Sequence, residues 1–317
     1  MATSLDRVAL NPLQWFASAD GWMDPSLAPP LPDRLEAVAA AGFRSIQTEL
    51  PADGDLAGYA RALADAGLTA GPGYGRVIWT DDSAEQAHWL ESIRVTAAGN
   101  AALGVEVVFF TIGMVDGTDR VKHAAVGSGF SQPHLEAVTD YLERASRVMA
   151  AEGILPALHP HVGSWVETEC ETRFVLDNTD QATLRFGPDT GHLAWAGADP
   201  AALVRDYRDR VAGVHLKDYF PAIAERARAE RLDYRSTILR GLWTEPGYGD
   251  ADIDAVLRAL GPDNTDWIVL EVDRGSTATP LESIQRCGSW ATANFRGGPA
   301  GQPDTVPAGH PENSEDN

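Results

Sequence analysis

Eight short apolar runs alternate with helical segments along almost the whole chain, and this rhythm limits the fold more than any other feature. The runs are residues 8–16, 45–50, 68–74, 105–112, 154–158, 184–190, 211–218 and 267–273. The fourth and eighth, Val105-Glu-Val-Val-Phe-Phe-Thr-Ile112 and Trp267-Ile-Val-Leu-Glu-Val-Asp273, are apolar on both faces. Strands that read this way, separated by helices, indicate a parallel sheet covered on both sides. Helices are expected over about 33–41, 55–66, 83–102, 132–152, 169–178, 200–210, 221–231, 252–260 and 279–294, several of them stopped by a glycine such as Gly42, Gly67 or Gly104. Eight such units in about 290 residues fit a single (β/α)8 barrel over residues 1–295 better than a doubly wound sheet. No Gly-x-Gly-x-x-Gly follows the first strand, which argues against a dinucleotide-binding fold. The segment 296–317, rich in Gly, Pro, Asp and Glu, has no periodicity and reads as a disordered tail.

A formal net charge of −21 sets a field that repels nucleic acid and anionic membrane, so neither is expected as a partner. No apolar run approaches the ~20 residues of a membrane helix. The first seven residues lack the apolar centre of a signal peptide. A cytoplasmic protein is the expectation. Cys170 and Cys287 lie far apart with no CxxC partner and read as buried free thiols.

In a barrel the chemistry gathers at the C-terminal ends of the strands, and the polar residues of this sequence fall there. Glu49 ends the second strand. His159, His161 and Glu167 surround the end of the fifth. Asp189 and His192 follow the sixth, His215 and Lys217 lie on the seventh, and Glu271 and Asp273 on the eighth. His159 and His161 share one face of their strand. Thr168 and Glu171 form a capping box that opens the next helix. Buried carboxylates and imidazoles need partners or a cation, and Asp, His and Glu from neighbouring strands make a mixed N/O site for a divalent metal. Each residue also has a plainer reading. Asp189 can cap a helix, His215 can be a satisfied core histidine, Glu49 can face solvent or an arginine, and Trp15 and Tyr74 can be core aromatics rather than platforms for a sugar ring.

Asn11-Pro-Leu-Gln-Trp15, His159-Pro-His-Val-Gly-Ser-Trp-Val-Glu-Thr168, Asp189-Thr-Gly-His192, Val214-His-Leu-Lys-Asp218 and Glu271 together resemble the xylose isomerase-like TIM barrels, the sugar phosphate isomerase/epimerase proteins. Within them the chain is similar to the inosose dehydratases up to about residue 294. The resemblance implies one divalent ion (Mn2+ or Co2+ first, Zn2+ or Mg2+ next) held by Asp189, His215 and Glu271. Many members carry a glutamate at the end of the fifth strand, where this chain has His159 and His161. Glu167 is taken as the fourth ligand, with both histidines facing substrate. The implied substrate is a cyclic polyol or keto-sugar, contacted by Asn11, Trp15, Tyr74 and His192. His159, His161 and Lys217 would move protons in an elimination beside a ketone. Epimerisation, aldose–ketose isomerisation and cleavage of a 3-keto-glycoside begin with the same proton abstraction and stay open. The superfamily's endonuclease IV-like branch is rejected on charge, and a non-catalytic sugar-binding barrel is disfavoured by the number of titratable groups. The loop from Tyr219 to Gly249 is long enough to serve as a lid or as a subunit contact in a homo-oligomer.

Overall fold

In a computed structural model, which describes residues 3–297, the expected alternation closes into a barrel. The barrel strands are β1 (Val8–Asn11), β2 (Ser45–Thr48), β3 (Thr69–Val77), β4 (Val107–Ile112), β5 (Leu155–Leu158), β6 (Arg185–Phe186), β7 (Gly213–Leu216) and β10 (Trp267–Glu271). They are all parallel, in the order β6-β5-β4-β3-β2-β1-β10-β7. Single parallel bridges, Phe186 to Val211 and Asp189 to His215, join the two ends. β8 (Asp218–Tyr219) and β9 (Trp243–Thr244) form a separate antiparallel pair.

Helices α1 (Leu31–Ala40), α2 (Leu56–Asp65), α3 (Ser83–Ala102), α4 (Asp119–Lys122), α5 (Gln132–Ala151) and α6 (Glu169–Asp177) fall in the first five connections. They are followed by α7 (Thr190–Trp195), α8 (Pro200–Asp206), α9 (Pro221–Glu230), α10 (Tyr234–Leu239), α11 (Ile253–Leu260) and α12 (Pro280–Asn294). α1 and α2 each stop within two residues of a glycine in the left-handed region, Gly42 at φ 97° and Gly67 at φ 71°, where a side chain would be strained. α6 opens with the expected capping box between Thr168 and Glu171.

Inside the barrel Ala9, Phe109 and Val269 pack as a small apolar plug. Phe109 lies directly under the site, with its ring centroid 4.1 Å from that of His215 and 5.7 Å from that of His159.

Several expectations need correction. The first strand stops at Asn11 rather than 16, because Pro12 has no N–H to continue the ladder. The chain then turns through a 3₁₀ segment, Leu13–Trp15, which buries Trp15 in the main core. Cys170 is exposed on the first turn of α6 and only Cys287 is buried; both are free. The 219–249 segment carries the expected helix as α9 and, beyond it, the unexpected α10; it is pinned by the β8–β9 pair and by Asp218, which accepts backbone hydrogen bonds from Gly247, Gly249 and Ala251. Arg296, expected to begin the tail, bridges to Ser4. The rest of that tail, residues 298–317, lies outside the described residues. No helix among the described residues is long and apolar enough to cross a membrane.

Candidate active site at the C-terminal ends of the strands

A cavity of about 560 Å3 opens at the C-terminal mouth of the barrel, within the roughly 300–1,000 Å3 typical of small-molecule sites. Its floor includes Asn11, Tyr74, His159, His161, Glu271 and Asp273. Gln47, Glu49, Arg76 and Arg274 add polar positions, and Glu49 is held by Arg34 at 2.6 Å.

Below the floor lies a dense set of charged groups. Lys217 Nζ is fully buried, 2.6 Å from Glu271 Oε1, 2.8 Å from Asp273 Oδ1 and 3.1 Å from Asp189 Oδ2. Burial alone would strip its proton. The three carboxylates outweigh burial and hold its pKa well above the ordinary lysine value. Burial likewise works to raise Glu271, but Lys217 and His215 overcome it and keep that carboxyl ionised, well below its usual range. Glu271 also accepts a hydrogen bond from Asn11, its register partner across β1 and β10. Asp273 is pushed up to about 7 by burial, against Lys217.

His159, Asp189 and His215 come together as a donor set, with one ligand atom from each lying within 4.8 Å of the others. Asp189 uses Oδ1 to cap α7, accepting from the His192 N–H at 2.9 Å. The cap thus occupies one oxygen and leaves the other turned toward the histidines. Oδ2 accepts no hydrogen bond of good geometry, although it lies 3.8 Å from His159 Nε2 and 4.0 Å from His215 Nδ1. Both His215 nitrogens are buried without a hydrogen bond; Nδ1 stands 3.2 Å from Glu271 Oε2, outside hydrogen-bond geometry. His159 Nδ1 lies 3.3 Å from the Gly187 carbonyl. A carbonyl only accepts, so the proton belongs on Nδ1 and the Nε2 lone pair faces Asp189. Asp189 Oδ2 has the Lys217 ammonium at 3.1 Å, but each buried imidazole nitrogen left without a hydrogen bond costs ~1–3 kcal/mol. A divalent cation would satisfy them together, so the residues present fit a metal.

His161 is placed differently. Its Nδ1–H donates to the Val162 carbonyl at 2.8 Å, which leaves Nε2 as the free lone pair of a ring that lines the cavity. Burial and the Lys217 charge push its pKa down to about 4, so it is neutral near pH 7. His192 lies behind it, ring centroids 3.7 Å apart, fully buried and not part of the cavity wall. Expected to touch substrate, His192 instead supports the His161 ring and sits 3.8 Å from Asp273. Trp15 is likewise absent from the wall, and its neighbour Phe16 lines the cavity instead. Tyr74 is where expected, edge-on to His159 at 5.7 Å.

Glu167 does not join the ligand cluster. Its carboxylate accepts the backbone N–H groups of Ala125, Gly127 and Gly163 and pairs with Arg120 at 3.3 Å. Burial raises it to about 7 despite these donors. It shapes the loop that carries His161. Gly163, at φ 86°, presents its N–H to Glu167, and a side chain there would strike Met114. His159 takes the fifth-strand position in the donor set.

Sequence reasoning missed Arg120, which also holds Glu171 at 2.6 Å, and Tyr234, whose ring lines the cavity from α10. Both come from connections between expected elements, and neither carried a motif. The pairing of Glu167 and Glu171 four residues apart was the only hint of a buried cation.

The family model of xylose isomerase-like TIM barrels matches residues 35–289. An inosose dehydratase of Geobacillus kaustophilus is 35% identical over 140 residues, 44% of this chain and 46% of that protein. The chain thus aligns with about half the length of the curated relatives it matches. Among solved structures, the E. coli 3-keto-D-glucoside 4-epimerase YcjR superposes with a TM-score of 0.66 at 17% identity, covering 90% of this chain and 99% of that one. The IOLI protein with a bound zinc atom superposes with a TM-score of 0.65 at 16% identity, covering 91% and 97%. The match to the family model spans most of the chain, and the protein belongs to the xylose isomerase-like TIM barrel family.

Proposed function

We propose that this protein is a metal-dependent lyase that removes a proton beside the ketone of a cyclic keto-polyol and expels the oxygen substituent on the next carbon. The departing group is water when that substituent is a free hydroxyl, as the name inosose dehydratase implies for the relative of Geobacillus kaustophilus. The observation that carries the reading is the division of labour between neighbouring histidines. His159 belongs to an unsatisfied donor set with Asp189 and His215, whereas His161 is neutral and faces the cavity with a free Nε2.

His159, Asp189 and His215 would hold the divalent ion, with Glu271 beside them. The zinc in the IOLI neighbour is consistent with a divalent metal in this fold. Once bound, such an ion supplies Lewis acidity toward a carbonyl oxygen. The remaining work falls to side chains. His161 takes the α-proton through Nε2, acting as a general base that is unprotonated at neutral pH. Lys217, held as an ammonium, offsets the negative charge that builds up on the substrate as the proton leaves. Lys217 does not reach the cavity; Asp273 does, and its Oδ1 accepts a hydrogen bond from the lysine at 2.8 Å. Asp273 hands a proton to the departing oxygen. Asn11, Tyr74 and Tyr234 orient ring hydroxyls. His161 and Asp273 then exchange the proton difference through water in the open cavity.

The test is an assay on 2-keto-myo-inositol with and without added Mn2+ or Co2+. Metal-dependent growth of the absorbance of a conjugated enone or diketone supports the lyase. Exchange of the α-hydrogen for solvent deuterium without that absorbance would move the reading to an epimerase or isomerase. Neither signal, on this substrate or on a 3-keto-glucoside, would contradict it.

A further inference from the structure

The cavity has two chemically different zones. The floor is polar, with Gln47, Glu49, Arg76 and Arg274 adding polar positions, but another part of the wall is formed by Phe16, Trp22, Met23, Met114 and Ile238. These come from three separate connections, after β1, after β4 and between β8 and β9. They are not a loose fringe. Arg235 pairs with Asp116 of the second connection at 2.7 Å and lies 3.5 Å from Asp20 of the first, while its guanidinium covers the Trp22 ring at 4.5 Å. Trp22 in turn packs edge-on against Tyr234 at 6.0 Å, and Ala17 bridges to Met23 to close the first loop into a small hairpin.

A bare keto-polyol carries a hydroxyl on nearly every carbon. Against this wall those hydroxyls would lose water and gain no hydrogen bond, which is unfavourable. A fixed apolar wall beside a polar floor suits a ligand with matching halves. Resting on the elimination reading above, we propose that the substrate is a keto-glycoside whose keto-sugar ring sits on the polar floor and whose O-linked apolar group lies on the Phe16–Trp22–Met23 wall. That group is the one expelled. His161 takes the proton from the ring carbon between the ketone and the glycosidic carbon, and a C=C bond forms between those two ring carbons. The glycosidic C–O bond breaks, and its electron pair leaves with the alcohol oxygen, which takes a proton from Asp273. Atoms and charge balance without a further reactant.

The test compares methyl and hexyl 3-keto-β-glucosides, whose alcohols are chemically alike as leaving groups, on the metal-loaded wild type, Trp22→Ala and Met23→Ser. Met23 is 37% exposed, so its variant is expected to fold even if removal of Trp22 disturbs the loops. The hexyl substrate is expected to exceed the methyl one in kcat/KM by at least about tenfold in wild type, with that ratio falling toward one in both variants. A wild-type ratio near one would overturn the apolar subsite and leave the elimination reading standing. Turnover of neither substrate would contradict the elimination reading. The subsite is then decided by calorimetry with unoxidised hexyl and methyl β-glucosides, where tighter hexyl binding upholds it, and equal or absent binding overturns it.

Discussion

Lys217 Nζ lies 3.1 Å from Asp189 Oδ2, the same oxygen that faces His159 and His215. One carboxylate therefore serves two cationic demands. The lysine neutralises the carboxylate cluster, and the two histidines leave room for a second positive charge. Among the described residues Lys217 is the only lysine or arginine in contact with Asp189, Glu271 and Asp273.

Lys217→Met should therefore destabilise the metal-free protein by ~3–5 kcal/mol, the usual cost of leaving buried charges unpaired. Added divalent metal should recover more stability in the variant than in wild type, because the ion then faces an uncompensated carboxylate cluster. Thermal melts in EDTA and in Mn2+ check both. An equal metal-induced shift in the two proteins would show that Lys217 and the ion do not share Asp189.

His161→Gln should lower kcat by about 10²–10⁴-fold, the range for loss of a general base, with metal content unchanged. His159→Gln should instead lose metal. Kinetics beside metal analysis of the two variants separate the roles. Loss of metal from the His161 variant would place that residue among the ligands.

Stability should depend on pH through the buried histidines. Burial lowers the pKa of His159, His161 and His192 in the folded protein, His161 to about 4 from an ordinary 6.5. The unfolded chain therefore binds their protons first. Their contribution is complete above about pH 6.5 and is lost as the pH falls from there through 4, at up to about 4 kcal/mol per pH unit if all three titrate together. Glu167 and Asp273, raised to about 7, take up protons in the folded protein over the same range and oppose this slope. NMR titration of the histidine rings in EDTA isolates their part, and buried rings that protonate near pH 6.5 in the folded protein would contradict their burial as neutral groups.

Glu167→Gln should cost about 1–3 kcal/mol, because the amide NH2 replaces one of two accepting oxygens and would face either the Gly127 N–H or the N–H groups of Ala125 and Gly163. Metal stoichiometry should be unchanged. Chemical denaturation and metal analysis test this together, and a metal-free variant would restore Glu167 as a ligand.

The barrel was legible because its signals are local. Buried strands such as Val107–Ile112 are apolar on both faces, helices end at glycines, and Thr168 and Glu171 announce α6 three residues apart. The residues at strand ends, Asn11, His159, Asp189, His215 and Glu271, could be placed because a parallel barrel puts all those ends on one rim. What failed depended on geometry that sequence spacing does not carry. Pro12 ended the first strand early, and a 3₁₀ turn exchanged Trp15 for Phe16 at the wall. Glu167 looked like a ligand because it is acidic and close in sequence to His161, but a turn at Gly163 directs it toward Arg120 and three backbone N–H groups. Arg120 and Tyr234 come from connections whose polar composition gave no sign of burial. The β8–β9 pair has only two residues per strand, too short for any alternation to show.

The most direct measurement is metal analysis of the purified protein after reconstitution with Mn2+, Co2+ or Zn2+, for wild type beside Asp189→Asn and His215→Gln. About one divalent ion per chain in wild type, lost in both variants while each still folds, is the expected result. Wild type that binds no divalent ion after reconstitution, or variants that retain it in full, would contradict the His159–Asp189–His215 site and the chemistry built on it.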